Sequence, residues 1–294
     1  MKASAFAYAR ATSVENALEL LATHGETAKV LSGGQSLMPA MNLRLISPTL
    51  VVDIGGLAEL RGITIGSDTI RIGALTRHVD LVQSPEIAAH VPLMSAAAAH
   101  VAHPAIRNRG TLGGSLAHAD PAAELPACML ALNASIIARG RDGERRIAAR
   151  DFFRGIFQTA LSGDELLVAV ELPRAPEKAT YFFQEFSRRH GDYALAGLAA
   201  QAVVNGGILA DLRLACFAIG DRPVLAKAAD ALVKVAITRE LLLQSSAQLA
   251  DELDPHTDQQ ATAAMRRHYV GVLLIRCVST LLNRTDLGVS RRAA

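Results

Sequence analysis

The 294-residue chain has no tryptophan, only four tyrosines and eight phenylalanines, so we do not expect a surface that stacks many bases or sugars. Its charges nearly balance, with 30 lysines and arginines against 28 aspartates and glutamates, which argues against a strongly basic nucleic-acid-binding protein. Half of the residues are hydrophobic, enough to bury a substantial core. The length favours two or more domains.

Cysteines and uninterrupted apolar runs are also scarce. The three cysteines, Cys128, Cys216 and Cys277, are far apart, so they form neither a disulfide framework nor the thiolate set of an iron–sulfur centre. This usage favours a reducing cytoplasm. Uncharged stretches over 87–106 and 193–210 are broken by prolines or by an Asn-Gly-Gly turn, and the first residues lack the pattern of a secretory signal. We therefore expect no transmembrane segment.

The first part of the chain, residues 1–56, alternates predicted strands and helices. Ser13 is placed to cap a short amphipathic helix over 14–21, a second helix is predicted over 37–45, and a buried strand over 50–54. This order predicts a small domain in which sheet and helices pack together.

The second part, residues 57–176, has shorter strands and ends at Pro173 and Pro176, where we place a domain boundary. Its predicted elements are a strand over 69–72, helices over 93–102 and 124–132, a hairpin that pairs 135–138 with 145–148, and a strand over 166–172.

The third part, residues 177–294, is predicted to be a three-stranded antiparallel sheet beside a helical bundle, which makes the whole chain α+β. The strands are predicted over 181–187, 195–204 and 208–219, and the helices over 223–233, 239–253 and 259–282.

No Gly-x-Gly triplet occurs, so the common dinucleotide fingerprint is missing, and so is the P-loop. Two five-residue segments instead combine glycines with hydroxyl residues: Ser32-Gly33-Gly34-Gln35-Ser36 and Thr111-Leu112-Gly113-Gly114-Ser115. Glycine permits close backbone approach, and inward-pointing amides with hydroxyls form an anion-binding cradle. For either segment alone, a simple Gly-rich turn is the more common explanation.

Other polar residues near the second segment each have two possible interpretations, one structural and one functional. Asp120 and Glu124 either start the following helix or accept hydrogen bonds from ribose hydroxyls. Arg107 and Arg109 either hold the loop or neutralise phosphate. Tyr193 either stacks on an aromatic ligand or packs in a turn. His100, His103, His118 and Cys128 could be drawn as a zinc site, but no supporting metal-binding motif accompanies them, so we predict no metal site.

Taken together, the motifs resemble one family, the FAD-binding medium subunit of molybdenum hydroxylases, as in xanthine dehydrogenase and aerobic carbon monoxide dehydrogenase. The resemblance extends from about Phe6 to Leu282. It is carried by residues 31–39, 72–76 and 191–194 and, most specifically, by the run from Ile106 to Pro126, which reads IRNRGTLGGSLAHADPAAELP.

The resemblance implies a two-subdomain FAD-binding unit of the PCMH type followed by a small C-terminal flavoprotein domain. It also implies that both glycine segments hold the FAD pyrophosphate. Relatives with a lysine near the flavin have it where this chain has Gln184-Glu185-Phe186, so a basic contact is not expected there. The residues carried over as FAD-binding are Ser32, Gly33, Gly34, Gln35, Ser36, Thr111, Gly113, Gly114, Ser115, Asp120, Glu124, Leu167 and Tyr193.

The implied function is electron transfer, with no residue of this chain acting on the primary substrate. The FAD would be noncovalent, since neither glycine segment contains histidine or cysteine. The molybdenum cofactor would lie in a large partner subunit and the 2Fe-2S clusters in a small one, in a dimer of heterotrimers. The complex would be cytoplasmic or peripheral at the inner face of the membrane, and quinone or NAD would accept the electrons. The alternatives are a self-contained flavin-dependent oxidase and a noncatalytic scaffold subunit.

Overall fold

The computed structural model describes residues 2–287, and its first unit is a small sheet with helices in the connections. The elements of this unit are β1 (Ala7–Arg10), α1 (Val14–His24), β2 (Ala28–Leu31), α2 (Leu37–Asn42) and β3 (Leu50–Asp53). The strands are parallel, in the order β1-β3-β2. Their carboxyl ends therefore share one edge, and the first glycine segment begins at that edge.

Local sequence explains both helices of this unit. The Ser13 hydroxyl accepts a hydrogen bond from the Asn16 N–H, so the predicted cap of α1 is confirmed. Helix α2 ends at Asn42, whereas the prediction extended to 45. Arg44 has a left-handed φ of 58°, and the Leu45 N–H turns back to the Ala40 carbonyl, which closes the helix.

The second unit is built on a five-stranded antiparallel sheet. Its elements are β4 (Ile63–Ile65), β5 (Thr69–Gly73), α3 (His78–Gln83), α4 (Pro85–His90), α5 (Pro92–His100), α6 (Pro104–Arg107), α7 (Leu112–His118), α8 (Glu124–Ala131), β6 (Ser135–Gly140), β7 (Gly143–Ala148), α9 (Ala149–Phe152), β8 (Phe153–Gly155), β9 (Gln158–Thr159) and β10 (Leu166–Pro173). The strand order is β4-β5-β10-β6-β7, and β8 and β9 form a separate ribbon.

The core of the second unit lies between this sheet and its helices. Every residue of α8 is buried, which agrees with its nearly continuous apolar sequence. The predicted hairpin is confirmed as β6 and β7, and Gly143 takes the positive φ of 112° that its turn requires.

The third unit contains a four-stranded sheet rather than the predicted three strands. Its elements are β11 (Ala179–Ser187), β12 (Ala194–Asn205), β13 (Ile208–Phe217), β14 (Val224–Leu225), α10 (Arg239–Glu252) and α11 (Ala263–Leu281). The helix predicted over 223–233 is wrong. Val224 and Leu225 instead pair with β13, and a 3₁₀ helix, Lys227–Leu232, follows.

The remaining helices of the third unit agree with the prediction except at one start. Helix α11 begins at Ala263, not at 259, because Thr262 caps it and the Asp258 side chain holds the preceding turn. Residues 288–294, the end of the predicted third part, lie outside the described residues. No helix within residues 2–287 is long and apolar enough to cross a membrane.

The third unit packs on the second through α5 and α8, which contact β11, β12 and β13. The Ala218 N–H donates to the Pro121 carbonyl at 2.9 Å. In the turn between β11 and β12, Gly191 lies so close to His103 that an added Cβ would be 2.7 Å from its ring. This packing brings the turn that carries Tyr193 next to the second unit.

Candidate functional site

The first glycine segment connects the end of β2 to the start of α2. Gly34 has a φ of 71°, which a residue with a side chain rarely adopts. The Gln35 side-chain amide donates to the Gly33 carbonyl at 3.0 Å and so folds back over the loop. These features fix the loop in a turn that other residues would strain.

The backbone amides of this first segment are unpaired. Within the described chain, the N–H groups of residues 33–37 donate to no carbonyl and to no side chain, and the Ser36 hydroxyl makes no hydrogen bond. Consecutive unpaired N–H groups in a turn are an anion-binding arrangement. The loop can therefore accept a phosphate group without any change in its own hydrogen bonds.

The second glycine segment is different, because it is largely helical. Thr111 is the N-cap of α7, and its hydroxyl accepts from the Gly114 N–H at 3.1 Å. The Leu112 and Gly113 N–H groups donate to the carbonyls of Thr76 and Ala74. The amides of residues 112–114 therefore already have partners inside the protein, unlike those of the first segment.

The glycines allow the two segments to touch. An added Cβ at Gly33 would overlap the Arg109 carbonyl, and one at Gly114 would lie 2.8 Å from both the Ser32 Oγ and the Thr111 Oγ1. The Thr111 hydroxyl donates to the Ser32 hydroxyl at 3.1 Å. The lack of side chains at these positions therefore serves the contact between segments and not only the approach of a ligand.

His78 supports the second segment and was missed by the sequence analysis. Its backbone N–H donates to the Gly110 carbonyl, and its ring Nε2 lies 3.0 Å from the Thr111 carbonyl. Burial lowers the pKa of His78 to about 4, so the ring is neutral near pH 7 and its Nε2–H is the donor. No local sequence pattern indicates this contact.

Three further candidate residues lie beyond the C-terminal end of α7, and their charges influence one another. Asp120 accepts the Ala122 N–H at 2.9 Å, as expected for a residue that leads into a helix. Glu124 begins α8 and is buried, and burial raises its pKa to about 8. Tyr193 is 74% exposed. The pKa of the Tyr193 hydroxyl is nevertheless raised, first by partial loss of solvent around that group and then by the negative charges of Asp120 and Glu124.

Leu167 is a core residue of β10. It is 4% exposed and lies opposite Ala138, next to a register shift between Leu167 and Ala169. The neighbouring Val168 carbonyl accepts the Ala74 N–H, and the Ala74 carbonyl accepts from Gly113. Leu167 is therefore linked to the second segment through the backbone, while its side chain packs in the core.

The structure shows that one of the two arginines holds the loop by hydrogen bonds to the backbone. Arg107 donates to the carbonyls of Val101 and Ala102 at 3.0 and 2.9 Å, so it holds the chain. Arg109 is exposed, and its guanidinium donates to no group of the described chain.

No cluster of three or more metal-ligating side chains occurs within residues 2–287.

Two family models match the chain. They are the FAD binding domain in molybdopterin dehydrogenase, over residues 4–175, and the CO dehydrogenase flavoprotein C-terminal domain, over residues 181–281. The 6-hydroxypseudooxynicotine dehydrogenase complex subunit alpha of Paenarthrobacter nicotinovorans is 39% identical over 286 residues, which are 97% of each chain. The carbon monoxide dehydrogenase medium chain of Afipia carboxidovorans is 34% identical, over 93% of this chain and 95% of that one.

The fold agrees with a solved relative. A chain of carbon monoxide dehydrogenase from Hydrogenophaga pseudoflava has a TM-score of 0.94 at 34% sequence identity, with 97% of this chain and 99% of that chain covered. With both family models and full-length relatives in agreement, the chain belongs to the FAD-binding medium subunits of the molybdenum hydroxylases, which are parts of oxidoreductase complexes.

Proposed function

We propose that this subunit binds FAD noncovalently, receives electrons from the 2Fe-2S clusters of a partner subunit and passes them to a terminal acceptor, quinone or NAD. Bound FAD supplies the redox chemistry, and the protein supplies position and electrostatics. The observation that carries the proposal is the row of unpaired amides at residues 33–37 beside the linked hydroxyls of Ser32 and Thr111.

The two ends of the site have different tasks in this proposal. The amides of the first segment hold the pyrophosphate, together with the hydroxyls of Ser32, Ser36, Thr111 and Ser115. Hydrogen bonds to a charged group contribute about 1.5–3 kcal/mol each, so four or five of them suffice without a lysine. Gly113 and Gly114 permit the close packing, and Gln35 fixes the loop. Asp120, Glu124, Tyr193 and the backbone at Leu167 contact the rest of the cofactor.

The cysteines of the chain support the assignment of the iron–sulfur clusters to a partner. Cys128, Cys216 and Cys277 are all fully buried, and burial raises the pKa of each thiol. Electrons therefore reach FAD from outside this subunit. We infer a large molybdenum-cofactor subunit and a small 2Fe-2S subunit, arranged as a dimer of heterotrimers, in the cytoplasm or held at the inner membrane face through the complex.

The primary substrate is set elsewhere in the complex. Relatives whose names refer to 6-hydroxypseudooxynicotine and to carbon monoxide match this chain at 39% and 34% identity, although those two molecules share little chemistry. Because this chain resembles both relatives over nearly its full length, the features that it shares with them are not specific to either molecule, which favours electron transfer over a self-contained flavin oxidase.

Spectroscopy and copurification test the proposal. The purified chain should show the absorption spectrum of a flavin, and denaturation should release that flavin from the polypeptide. A chain that stays colourless after FAD is supplied would support the scaffold alternative. Copurification with one molybdenum-containing and one iron-containing polypeptide is expected, whereas a flavin-loaded chain that oxidises an organic substrate alone would support the oxidase alternative.

A further inference from the structure

Arg266 is a buried arginine near the start of α11, and only 7% of it is exposed. It is the fourth residue of the helix, close to the N-terminal end, where the helix dipole does not favour a cation. A buried guanidinium is also costly unless its donors find acceptors. The reason for an arginine at this position therefore lies in the groups that it contacts.

The first contact of Arg266 is with a β-bulge in β12. The register between β11 and β12 shifts between Phe186 and Ser187, so Leu195 has no residue opposite it on β11. The Arg266 Nη1 donates to the Leu195 carbonyl at 2.6 Å. Bulges bend a strand and re-aim the side chains beside them. Arg266 therefore stabilises the bend in the chain two residues after Tyr193.

The second contact is with the residue that follows β13. The same Nη1 donates to the Ala218 carbonyl at 2.8 Å. Ala218 has a left-handed φ of 60°, which is unfavourable for a residue with a side chain. Its N–H donates to the Pro121 carbonyl, in the turn of the second unit that carries Asp120. Arg266 therefore stabilises the residue through which the third unit is bonded to that turn.

An ion pair orients the guanidinium toward these two carbonyls. The Asp258 Oδ2 accepts from the Arg266 Nη2 at 2.7 Å. The Oδ1 of the same carboxylate accepts the N–H groups of Gln260 and Ala261, which hold it in the turn before α11. The Arg266 Nε–H has no partner within residues 2–287, and this offsets part of what the other bonds contribute to stability.

The neighbouring Arg267 makes similar contacts that do not reach the candidate site. Its guanidinium donates to the carbonyls of Ala250 and Leu253 at 3.2 and 3.3 Å, both at the end of α10. These bonds join the two helices of the third unit to each other. Arg267 is therefore a matched control, since it has the same chemistry at the adjacent position.

We propose that Arg266 is a positioning residue of the FAD site, which fixes Tyr193 relative to the turn at 120–124. This inference rests on the proposed function, because the candidate residues in these two places are assigned there to the part of the cofactor beyond the pyrophosphate. One guanidinium that bonds to two carbonyls fixes the distance between them. Displacements of about 1 Å in such supporting contacts are enough to weaken a binding site.

Residue-resolved hydrogen exchange of the full chain without FAD tests the structural step. In Arg266→Met both carbonyls lose their donor, so the Ala218 N–H and the amides of residues 193–195 should exchange about tenfold faster than in wild type. Arg267→Met should leave the exchange of these amides unchanged. Wild-type exchange rates at these amides in Arg266→Met would overturn the proposal.

Isothermal titration with FAD tests the consequence for binding. Arg266→Met should weaken FAD binding about tenfold, whereas Arg266→Lys, whose ammonium group can still donate to both carbonyls, should weaken it only about threefold. Arg267→Met should bind FAD as the wild type does. Equal losses in Arg266→Met and Arg267→Met would show that both act only through stability, which would overturn the proposal.

A double-mutant cycle with the exposed Tyr193 separates positioning from general stability. If Arg266 acts by placing Tyr193, then Arg266→Met should weaken FAD binding only about threefold when Tyr193 is already replaced in Tyr193→Ala. The visible circular dichroism of bound FAD at saturation should also differ between wild type and Arg266→Met. Fully additive effects on affinity, or an unchanged spectrum, would contradict the proposal.

If Arg266→Met does not fold, Asp258→Asn provides the second test, because it weakens the ion pair that orients the guanidinium. It should change the same amides and weaken FAD binding about threefold. No change in either measurement would overturn the proposal. A wild-type chain that binds no FAD contradicts the proposed function itself, whereas the exchange result for Arg266→Met does not depend on FAD.

Discussion

The two glycine segments have nearly the same composition, but their backbone amides are hydrogen-bonded in different ways. The segment at 32–36 has unpaired amides and a positive φ at Gly34, whereas the segment at 111–115 is a capped helix start whose amides donate to carbonyls of the protein. The first segment therefore has N–H groups free to donate to an anion, whereas the second packs against the first through Thr111 and the Arg109 backbone. A shared sequence pattern therefore does not imply a shared contact with the ligand.

The largest effect is expected where the segments touch, at Gly33. In Gly33→Val the added side chain would overlap the Arg109 backbone, which cannot move aside as a flexible side chain can. We expect a loss of about 3 kcal/mol or more in the free energy of unfolding, and no FAD binding. Urea unfolding and flavin absorption measure the two effects.

Gly163→Val is the matched control, because an added Cβ at Gly163 meets no atom within 4 Å. It should keep both FAD and stability. A folded Gly33→Val chain with normal FAD affinity would show that the two segments need not be in contact.

The next effect is a pH dependence of stability that comes from His78 beneath the second segment. Its pKa is lowered from 6.5 to about 4, so the unfolded chain binds the proton more readily than the folded one. The contribution of neutral His78 to the free energy of unfolding is therefore complete above about pH 6.5. It falls by up to about 3 kcal/mol as the pH drops toward 4. Unfolding by urea at several pH values measures it.

His78→Gln should remove this part of the pH dependence, while the exposed His24→Gln should retain it. An equal pH dependence of stability in wild type and His78→Gln would contradict the role of a buried, neutral His78 in supporting the second segment.

A smaller effect on FAD affinity is expected when the serine hydroxyls of the two segments are removed one at a time. Ser36 makes no hydrogen bond within the described chain, so Ser36→Ala should weaken FAD binding about tenfold and leave the free energy of unfolding unchanged. The Ser115 hydroxyl also has no partner within the described chain, but the amides beside it are already paired, so Ser115→Ala should weaken FAD binding only about threefold. Isothermal titration with FAD compares them, and a larger loss at Ser115 would reverse the ranking of the two segments.

The smallest effect is expected from the cap of α7. Thr111→Val keeps the shape but removes the acceptor for the Gly114 N–H and the contact with Ser32, so stability should fall by about 1 kcal/mol. Thr238→Val removes an equivalent cap from α10 in the third unit. Both variants should lose similar stability in thermal unfolding, but only Thr111→Val should also lose FAD affinity. Equal FAD affinity in the two would argue against a role for Thr111 in the site.

Local patterns predicted the parts of this structure that depend on local interactions. The Ser13 cap of α1 and the β6–β7 hairpin at Gly143 are both determined by residues close to one another in the sequence. The two-residue strand at Val224 was missed because its pairing partners, Ala215 and Cys216, determine it rather than its own sequence.

The site was predictable only in part for the same reason. The amides at 112 and 113 are satisfied by carbonyls of Thr76 and Ala74, more than 30 positions earlier, so no local pattern shows that they are paired. The position of the turn that carries Tyr193 likewise depends on how the third unit packs against the second, through the close approach of Gly191 to His103.

Residue-resolved hydrogen exchange of the full chain, with and without FAD, tests most directly whether the first segment is the anion site. Without FAD the amides of residues 33–37 should exchange rapidly and those of 112–114 slowly, because only the latter have acceptors in the protein. Addition of FAD should protect residues 33–37 and change 112–114 little. Protection that appears at 112–114 while 33–37 remain open would contradict this account.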